Sequence, residues 1–277
     1  MSSAQQHFNV ASLFQERARR RLSNYKYRVL VISGKGGVGK SFISSMLALA
    51  LAERGRRVAL FDADIYGSSA PVLLGVQGVR HYLDEEGDIL PVEGPLGVKL
   101  VAVNLMLDTP YTPVVWRGPL VARAILELAA RVKWGEGDYL IVDMPPGTGD
   151  VAITIAQLMP PETHAIVVTA PNALSEVVVS KAINFAKSTG LKLLGIVENM
   201  SYFKCPHCGR ETSIMGKSSG ELLASKYGVA LLAKIPLAPE INTAVDESTP
   251  YLLADKNGEV ARIIRELAHT VIRLLEK

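Results

Sequence analysis

The sequence predicts an α/β fold: a mostly parallel β-sheet with helices on both faces. Short apolar runs, typical of buried strands, alternate along the chain with longer helical segments. Val29–Ile32, Phe42–Arg54 and Arg57–Phe61 form a strand–helix–strand unit, which requires parallel strands and a right-handed crossover. Hydrophobic residues make up 48% of the 277 residues, as a sheet buried on both faces needs.

A glycine-rich loop lies between the first strand and the first helix of this unit. Every position of the pattern G-x-x-x-x-G-K-[ST] is matched by Gly34-Lys35-Gly36-Gly37-Val38-Gly39-Lys40-Ser41. In such a loop, backbone N–H groups and the positive end of the following helix surround phosphate. Lys40 is expected to reach the β- and γ-phosphates, and the Ser41 hydroxyl to bind Mg²⁺. The pattern predicts a P-loop NTPase fold. ATP is favoured over GTP because the guanine-selective N-K-x-D pattern is missing.

Three acidic residues follow predicted strands at the sheet edge where this loop lies. Asp62 and Asp64 come directly after the second strand, and Asp143 ends the apolar strand Tyr139–Val142. Ligands of parallel α/β folds bind at the carboxyl ends of the strands. We therefore predict that Asp62 and Asp143 bind Mg²⁺, and that Asp62 or Asp64 orients the attacking water. The alternative for Asp62 and Asp64 is a helix cap or a loop charge.

The remaining elements continue the α/β pattern. Strands are predicted at Val98–Val103, Ala165–Thr169, Leu193–Val197 and Ala230–Ile235, and helices at Pro119–Val132, Leu174–Ser188, Gly220–Tyr227 and Val260–Lys277. Asn199 follows a strand and is predicted to contact the adenine base through its amide. Gly147, after a rigid Pro-Pro pair, is predicted to offer its N–H to a γ-phosphate. The last helix is amphipathic, and packing on its own domain is favoured over binding to a membrane surface.

The chain is expected to be one domain, residues 28–277, preceded by a basic N-terminal extension, residues 1–27. The extension is predicted to be a solvated helix, with a nucleic-acid-binding arm or a targeting peptide as alternatives. Its basic cluster consists of Arg17, Arg19, Arg20 and Arg21. Lys+Arg total 30 and Asp+Glu 27, so bulk charge does not indicate a nucleic-acid partner. No apolar run reaches the ~18 residues that span a bilayer, and no signal-peptide core is present. A cytoplasmic protein is predicted.

The two cysteines stand close together in Cys205-Pro206-His207-Cys208-Gly209, and two alone exclude a disulfide-stapled secreted scaffold. Three interpretations stay open from the residues, and the alternative to all three is a pair of incidental thiols. A thioredoxin-like redox pair needs its first cysteine at a helix N-terminus, which the polar residues 210–213 do not favour. A structural zinc site normally takes four protein ligands, and His207 is hard to aim beside Cys208. In the third interpretation, two thiolates per chain become four across a two-fold axis and hold one [4Fe–4S] cluster.

Lys35 is a second lysine inside the loop, which an ordinary P-loop does not need. With it, the loop resembles the deviant Walker A group, which includes Min-type and Par-type ATPases and nitrogenase iron protein. The resemblance implies that Lys35 crosses a dimer interface to the partner's phosphates. Two chains would then enclose two nucleotides face to face. The alternative is an idle surface lysine.

Six stretches in fixed order resemble the Mrp/Nbp (ApbC-like) family of iron–sulfur cluster carrier ATPases over nearly the whole chain. They are GKGGVGKS, DADIYGSS, VVWRGP, DMPPGTGD, ENMSYFKCPHCG and IPLAPEI. The family implies a homodimeric, Mg²⁺-dependent ATPase that holds a labile bridging [4Fe–4S] cluster and passes it to apo iron–sulfur proteins. No nucleic-acid or membrane partner is expected.

Carried over residue by residue, the resemblance implies a role for each candidate. The nucleotide would be bound by Lys35, Lys40 and Ser41, and its adenine would be contacted by Asn199. The Mg²⁺ and the attacking water would be held by Asp62 and Asp64, and Asp143 would have the Walker B role. The cluster would be ligated by Cys205 and Cys208. The position after Ser41, usually threonine in this family, is Phe42, so any side-chain contact to phosphate at this nucleotide-site position is lost. The chain also lacks the family's N-terminal additions, so one cluster site per dimer is expected.

Two rival functions stay open. One is a Min/Par-type spatial-positioning ATPase acting on membrane or DNA, which the basic extension and the amphipathic last helix allow. The other is a reductase component like nitrogenase iron protein, in which the bridging cluster transfers electrons. The cysteine pair favours a cluster carrier over the first rival.

Overall fold

The strands and helices alternate as the sequence predicts. In the computed structural model the described residues are 3–106, 116, 118–171 and 175–276, with only the backbone described for 3–11 and 175. The helices are α1 (Ser3–Leu22), α2 (Lys40–Glu53), α3 (Ala70–Leu73), α4 (Gly118–Arg131), α5 (Asp150–Leu158), α6 (Ser175–Ser188), α7 (Gly220–Tyr227), α8 (Glu240–Asp246), α9 (Tyr251–Ala254) and α10 (Glu259–Leu275). The strands are β1 (Tyr25–Ile32), β2 (Val58–Asp62), β3 (Val92–Glu93), β4 (Lys99–Ala102), β5 (Gly137–Asp143), β6 (His164–Thr169), β7 (Lys192–Glu198), β8 (Phe203–Lys204), β9 (Glu211–Thr212) and β10 (Ala230–Lys234).

Eight of these strands form one sheet in the order β10-β7-β6-β1-β5-β2-β4-β3. Every neighbouring pair is parallel except β3 with β4. The predicted mostly parallel α/β sheet is therefore confirmed. β1 lies at the centre between β5 and β6, so the loop that follows β1 is flanked by the carboxyl ends of both neighbours. The separate β8–β9 pair is a small antiparallel hairpin.

Both faces of the sheet are buried, as parallel sheets require. Along β1, Val29 and Val31 belong to the core beneath α2 and α10, whereas Leu30 and Ile32 belong to the core beneath α1, α4, α5 and α6. All four side chains are buried. The amphipathic helix α10 packs on its own domain through Ile264, Leu267 and Val271, which confirms that prediction. None of the described helices is long and apolar enough to cross a membrane.

The N-terminal helix differs from its prediction. Its inner face is not solvated, because Ala18 and Leu22 are fully buried in the same core as Trp134. Arg17 and Arg21 both form ion pairs with Asp88, so these arginines fix the helix to the domain. β1 also begins at Tyr25, before the predicted boundary at residue 28. The arginines make this segment look wholly polar in the sequence, so the burial of Ala18 and Leu22 was not predicted.

Several predicted elements and one motif reach outside the described residues. These are residues 1–2 of the extension, residues 114, 115 and 117 of VVWRGP, Leu174 at the start of one predicted helix and Lys277 at the end of another. The short helices α3, α5, α8 and α9 were not predicted. Each has nine residues or fewer, which is too short for the helical period to stand out in the sequence.

The buried face of α1 gives a stability prediction. Leu22→Ala removes a fully buried side chain and is expected to lower the free energy of unfolding by about 2–5 kcal/mol. Leu13→Ala on the same helix is the matched control, because Leu13 is 60% exposed. It should change stability by less than about 0.5 kcal/mol. Urea unfolding measures both, and equal small effects would show that α1 is detached in solution.

Candidate functional site

The glycine-rich loop joins β1 to α2, and two of its glycines are required by close contacts. Gly39 has φ 77°, a left-handed conformation. A Cβ at Gly39 would also lie 2.1 Å from the Asn199 amide nitrogen. At Gly34, a Cβ would lie 2.0 Å from the carbonyl oxygen of Val178 in α6. Side chains at these two positions are therefore excluded by sterics.

Lys40 and Asp143 form a buried ion pair at the centre of the site. The Lys40 Nζ lies 2.7 Å from Asp143 Oδ1, and the two side chains are 6% and 0% exposed. The Ser44 hydroxyl donates to the same oxygen at 2.8 Å. Lys40 begins α2 and Asp143 ends β5. The pair thus joins the helix N-terminus to the sheet edge, where the sequence predicts phosphate and Mg²⁺ binding.

The second oxygen of Asp143, Oδ2, is buried and has no hydrogen-bond partner among the described residues. A buried carboxylate oxygen without a partner is costly unless a cation or water satisfies it. Ser41 follows Lys40 in the first turn of α2, and both residues line a cavity beside the glycine loop. A carboxylate and a hydroxyl are oxygen ligands of the type that Mg²⁺ prefers. These residues fit Mg²⁺.

Asp62 lies beside Asp143 in the register of β2 and β5, but its oxygens are already used. One oxygen accepts from the Ser68 hydroxyl at 2.8 Å and from the Ala70 N–H at 3.1 Å. The other accepts from the Asp64 N–H at 3.1 Å. Asp62 therefore holds the loop that leads into α3, which is the capping role that the sequence left as an alternative. Its role toward Mg²⁺ stays a prediction.

Asp64 is more open than Asp62 and lines the large cavity beside the loop. One of its oxygens accepts from the Gly67 N–H at 3.1 Å. Burial raises the pKa of this carboxyl, and Lys40 opposes that rise. Asp64 lines the cavity and Asp62 does not, so Asp64 has the better access to a water there.

The cavity has a volume of about 580 Å³, within the range of about 300–1,000 Å³ that holds small ligands. Its floor is the loop from Lys35 to Phe42, with Asp64 on one side and Asn199 on another. The sequence did not indicate three apolar residues of the wall, which are Met200, Leu237 and Ile241. The last two belong to the IPLAPEI motif, which had no assigned role. Apolar walls beside the glycine loop suit a nucleotide base.

Two N–H donors that were predicted to contact the nucleotide form hydrogen bonds within the protein instead. The Asn199 amide nitrogen donates to the Val38 carbonyl at 3.0 Å, so its donor supports the loop instead of facing an open cavity. The Gly147 N–H donates to the Ser33 carbonyl at 3.1 Å. The expectation that this N–H is free for a γ-phosphate is therefore wrong for this structure. Asn199 still lines the cavity, and its contact with adenine stays a prediction.

Phe42 and Lys35, two further residues of the predicted nucleotide site, have different surroundings. The Phe42 ring is 7% exposed and packs edge-on against Tyr251, with ring centroids 6.1 Å apart. Phe42 therefore packs in the apolar core and has no hydroxyl to offer to a phosphate. The half-buried Lys35 lines the cavity, and its ammonium has no ion pair among the described residues. The role of Lys35 across a dimer interface stays a prediction.

The two cysteines lie at the turn of the β8–β9 hairpin. The Cys205 N–H donates to the Arg210 carbonyl at 3.0 Å, and the Gly209 N–H donates to the Cys205 carbonyl at 2.8 Å. Both thiols are free, with Cys205 half-buried and Cys208 exposed. Backbone N–H groups of Cys208 and His207 donate to the Cys205 sulfur and lower its pKa. Cys205 lies at a hairpin turn and not at a helix N-terminus, so the structure does not favour the thioredoxin-like interpretation.

A zinc site within one chain is not supported either. Around the two cysteines, the described residues supply no third His, Cys, Asp or Glu that could complete a metal-binding group; such a group occurs at Asp84, Glu86 and Asp88. Those carboxylates are paired with Arg17, Arg21 and Lys133. The half-site interpretation of the cysteine pair remains.

Glu198 anchors the segment from Ser201 to Ser218, which contains the hairpin with the two cysteines. Its carboxylate accepts from the hydroxyls of Ser201 and Ser218, at the start and the end of this segment. It also accepts from the N–H groups of Ser219 and Gly220, each at 2.8 Å. Burial opposes ionisation of Glu198, but these four donors outweigh it and lower the pKa. One buried carboxylate therefore holds both ends of the hairpin segment.

A glycine loop between a central parallel strand and a helix, with a buried lysine–aspartate pair beside it, defines a P-loop NTPase. Comparison with known proteins narrows this class. Residues 24–272 match the family of ParA/NUBPL iron-transfer P-loop NTPases. The chain belongs to this family, and the resemblance to the Mrp/Nbp ATPases is confirmed.

Individual relatives agree with this assignment. The iron–sulfur cluster carrier protein of Saccharolobus solfataricus is 46% identical over 256 residues, covering 92% of this chain and 86% of that protein. The cytosolic Fe–S cluster assembly factor NUBP2 of Rattus norvegicus is 38% identical over 254 residues, covering 91% and 94%. A solved nucleotide-binding protein from Archaeoglobus fulgidus, in complex with ADP, has a TM-score of 0.74 at 37% identity, covering 86% of this chain and 92% of that one.

The electrostatics of Asp62 give a pH prediction. Burial, with the charge of Asp143, raises the pKa of Asp62 from 3.8 to about 7. The folded protein then binds this proton more tightly than the unfolded chain does. The contribution to stability is complete below the unfolded-chain pKa and is lost as pH rises toward the folded value. Asp62→Asn, which cannot titrate, should flatten the decline of unfolding free energy between about pH 4 and 7 by on the order of a few kcal/mol.

Urea unfolding at several pH values measures this slope. Asp246→Asn is the control, because Asp246 is an exposed carboxylate at the end of α8. It should keep the wild-type slope. The same slope in Asp62→Asn would contradict the raised pKa.

Proposed function

We propose that the protein is an ATP-dependent iron–sulfur cluster carrier in which two copies hold one [4Fe–4S] cluster and pass it to apo-proteins. The observation that carries the proposal is the cysteine hairpin. It presents two free thiols at one turn, with N–H groups directed at the Cys205 sulfur. Donors of this kind stabilise thiolates, which are the ligands that iron–sulfur clusters require.

Two copies follow from the number of ligands. Four thiolates are the usual complement for a [4Fe–4S] centre, and the whole chain has 2 cysteines. A two-fold axis beside the hairpin would double the pair. The unpaired Lys35 ammonium supports the same arrangement, since it has no ion pair among the described residues and lines the nucleotide cavity. In the dimer we expect it to contact the nucleotide of the partner.

The nucleotide chemistry proposed here is Mg²⁺-dependent ATP hydrolysis. Lys40 and the loop N–H groups bind phosphate, and Ser41 and Asp143 are the residues that would hold Mg²⁺. When bound, Mg²⁺ supplies positive charge to the phosphate oxygens. Asp64, which lies open to the cavity, is proposed to orient the attacking water. Asp62 is proposed to support the metal side of the site from its position beside Asp143.

The relatives support a carrier over the rival functions. The Saccharolobus protein is named an iron–sulfur cluster carrier and the rat protein a cytosolic Fe–S cluster assembly factor. By analogy, recipients of this chain's cluster are apo iron–sulfur proteins, and its compartment is the cytoplasm. The packing of α10 on its own core removes one feature that had allowed a membrane-acting ATPase.

Removing the P-loop lysine tests the nucleotide chemistry. Lys40→Ala should lower ATP turnover about 100-fold or more, because a preorganised cationic donor to phosphate is lost. Lys187→Ala, an exposed lysine in α6, is the control and should hydrolyse ATP normally. Unfolding midpoints of both variants are needed, since Lys40→Ala leaves Asp143 buried without its cation. Wild-type turnover in a folded Lys40→Ala protein would reject the assignment.

Anaerobic reconstitution tests the cluster site. The wild type should bind about four irons per dimer, with the absorption of an iron–sulfur cluster. Cys205→Ser and Cys208→Ser should each lose the iron, because each removes two of four ligands from the dimer, while ATP hydrolysis continues. His207→Ala is the matched control within the same turn and should keep the iron. Stoichiometric zinc without iron uptake, or iron retained by Cys205→Ser, would overturn the proposal.

A further inference from the structure

A second cleft lies beside Cys205, separate from the nucleotide cavity. It has a volume of about 420 Å³, enough for a ligand of side-chain size. One wall is the cysteine hairpin, from Phe203 to Pro206. The other consists of the segment 236–240, Tyr251 and the residues around the start of α10. Cys205 lines this cleft, whereas Cys208 does not.

The cleft carries an excess of negative charge. Three carboxylates line it, those of Glu240, Asp255 and Glu259, against the single ammonium of Lys204. Lys204 is directed at Glu259, with 3.4 Å between the ammonium and the carboxylate oxygen. Glu240 and Asp255 have no ion pair among the described residues. They are the carboxylates left for an incoming cation.

The neighbouring groups do not neutralise these two carboxylates. Asp255 accepts one neutral hydrogen bond from the Tyr251 hydroxyl at 3.0 Å. Arg265 acts on Asp255 electrostatically, but its guanidinium is held by both oxygens of Glu53. A cation that enters the cleft therefore gains charge-assisted hydrogen bonds that the protein itself does not supply.

The rest of the lining is apolar. Pro206, Pro236, Leu237 and Val260 face the same space, together with the ring of Tyr251. A small inorganic cation would gain nothing from these walls. Lysine and arginine side chains combine an aliphatic stem with a cationic head, so they match both parts of the lining.

We propose that this cleft binds a lysine or arginine side chain of the protein that receives the cluster, and so positions that protein beside Cys205. The excess of carboxylates in the cleft lining favours a basic partner side chain over an acidic one. The bound protein's role as a recipient rests on the proposed carrier function. The binding of a basic side chain does not.

The test uses the two cysteines of the apo-protein as reporters. The reduced full chain is alkylated with iodoacetamide, a neutral reagent, and the modification of each cysteine is followed by mass spectrometry. The probe is the peptide acetyl-Gly-Arg-Gly-Arg-Gly-amide, and its citrulline counterpart has the same shape without charge. At about three times its Kd, the arginine peptide should slow alkylation of Cys205 about fourfold, because only the free protein reacts. Cys208 should keep its rate.

Variants identify the carboxylates responsible. The double variant Glu240→Gln, Asp255→Asn should raise the Kd of the arginine peptide about tenfold or more, through the loss of charge-assisted hydrogen bonds. Glu247→Gln is the control, because Glu247 lies just after α8, outside the cleft, and it should leave protection unchanged. Protection is scored as the ratio of rates with and without peptide, which removes any change in the intrinsic reactivity of Cys205.

Three results would overturn the proposal: equal protection by the citrulline peptide, equal slowing at Cys208, or undiminished protection in the double variant. The two proposals also fail separately. Absence of iron uptake rejects the carrier function, whereas absence of protection at Cys205 rejects the basic-side-chain site.

Discussion

The buried ion pair between Lys40 and Asp143 fixes the geometry on which the rest of the site depends. It ties the first residue of α2 to the last residue of β5, and Ser44 holds the same oxygen from the next turn. Removing two charges from water is costly, and breaking such a pair costs about 3–5 kcal/mol because one charge stays buried alone. The ion pair therefore holds the Lys40 side chain in one place beside the glycine loop. The unpaired Asp143 oxygen leaves room for one further interaction.

Contacts made by two consecutive residues, Glu198 and Asn199, link the glycine loop to the cysteine hairpin. Glu198 holds both ends of the hairpin segment, and its neighbour Asn199 supports the Val38 carbonyl inside the glycine loop. The last residue of β7 and the residue that follows it thus serve two sites that lie in separate sequence motifs. The hairpin is anchored to the rigid sheet at its base, while Cys208 at its turn stays exposed.

The sequence predicted those features that depend on local patterns. Apolar runs located the central strands, and the eight-position match located the loop and Lys40. Contacts between distant segments could not be predicted this way. Asp62 caps its own loop because Ser68 and Ala70 fold back on it. The solvated N-terminal helix was an error of the same kind, since Leu22 becomes buried only when α4 and Trp134 are present.

Three residues, Pro236 to Ala238, form part of the wall of both the nucleotide cavity and the acidic cleft. The Leu237 N–H is bonded to the Tyr202 carbonyl at 2.7 Å, three residues before Cys205. Because the same segment lines both cavities, any movement of it changes the shape of both. If a ligand on one side shifts it, the free energy of binding on the other side changes, and thermodynamic linkage makes the effect equal in both directions. Nucleotide binding would then change the affinity of the acidic cleft for a basic side chain, and a bound side chain would change the affinity for nucleotide, through the same three residues.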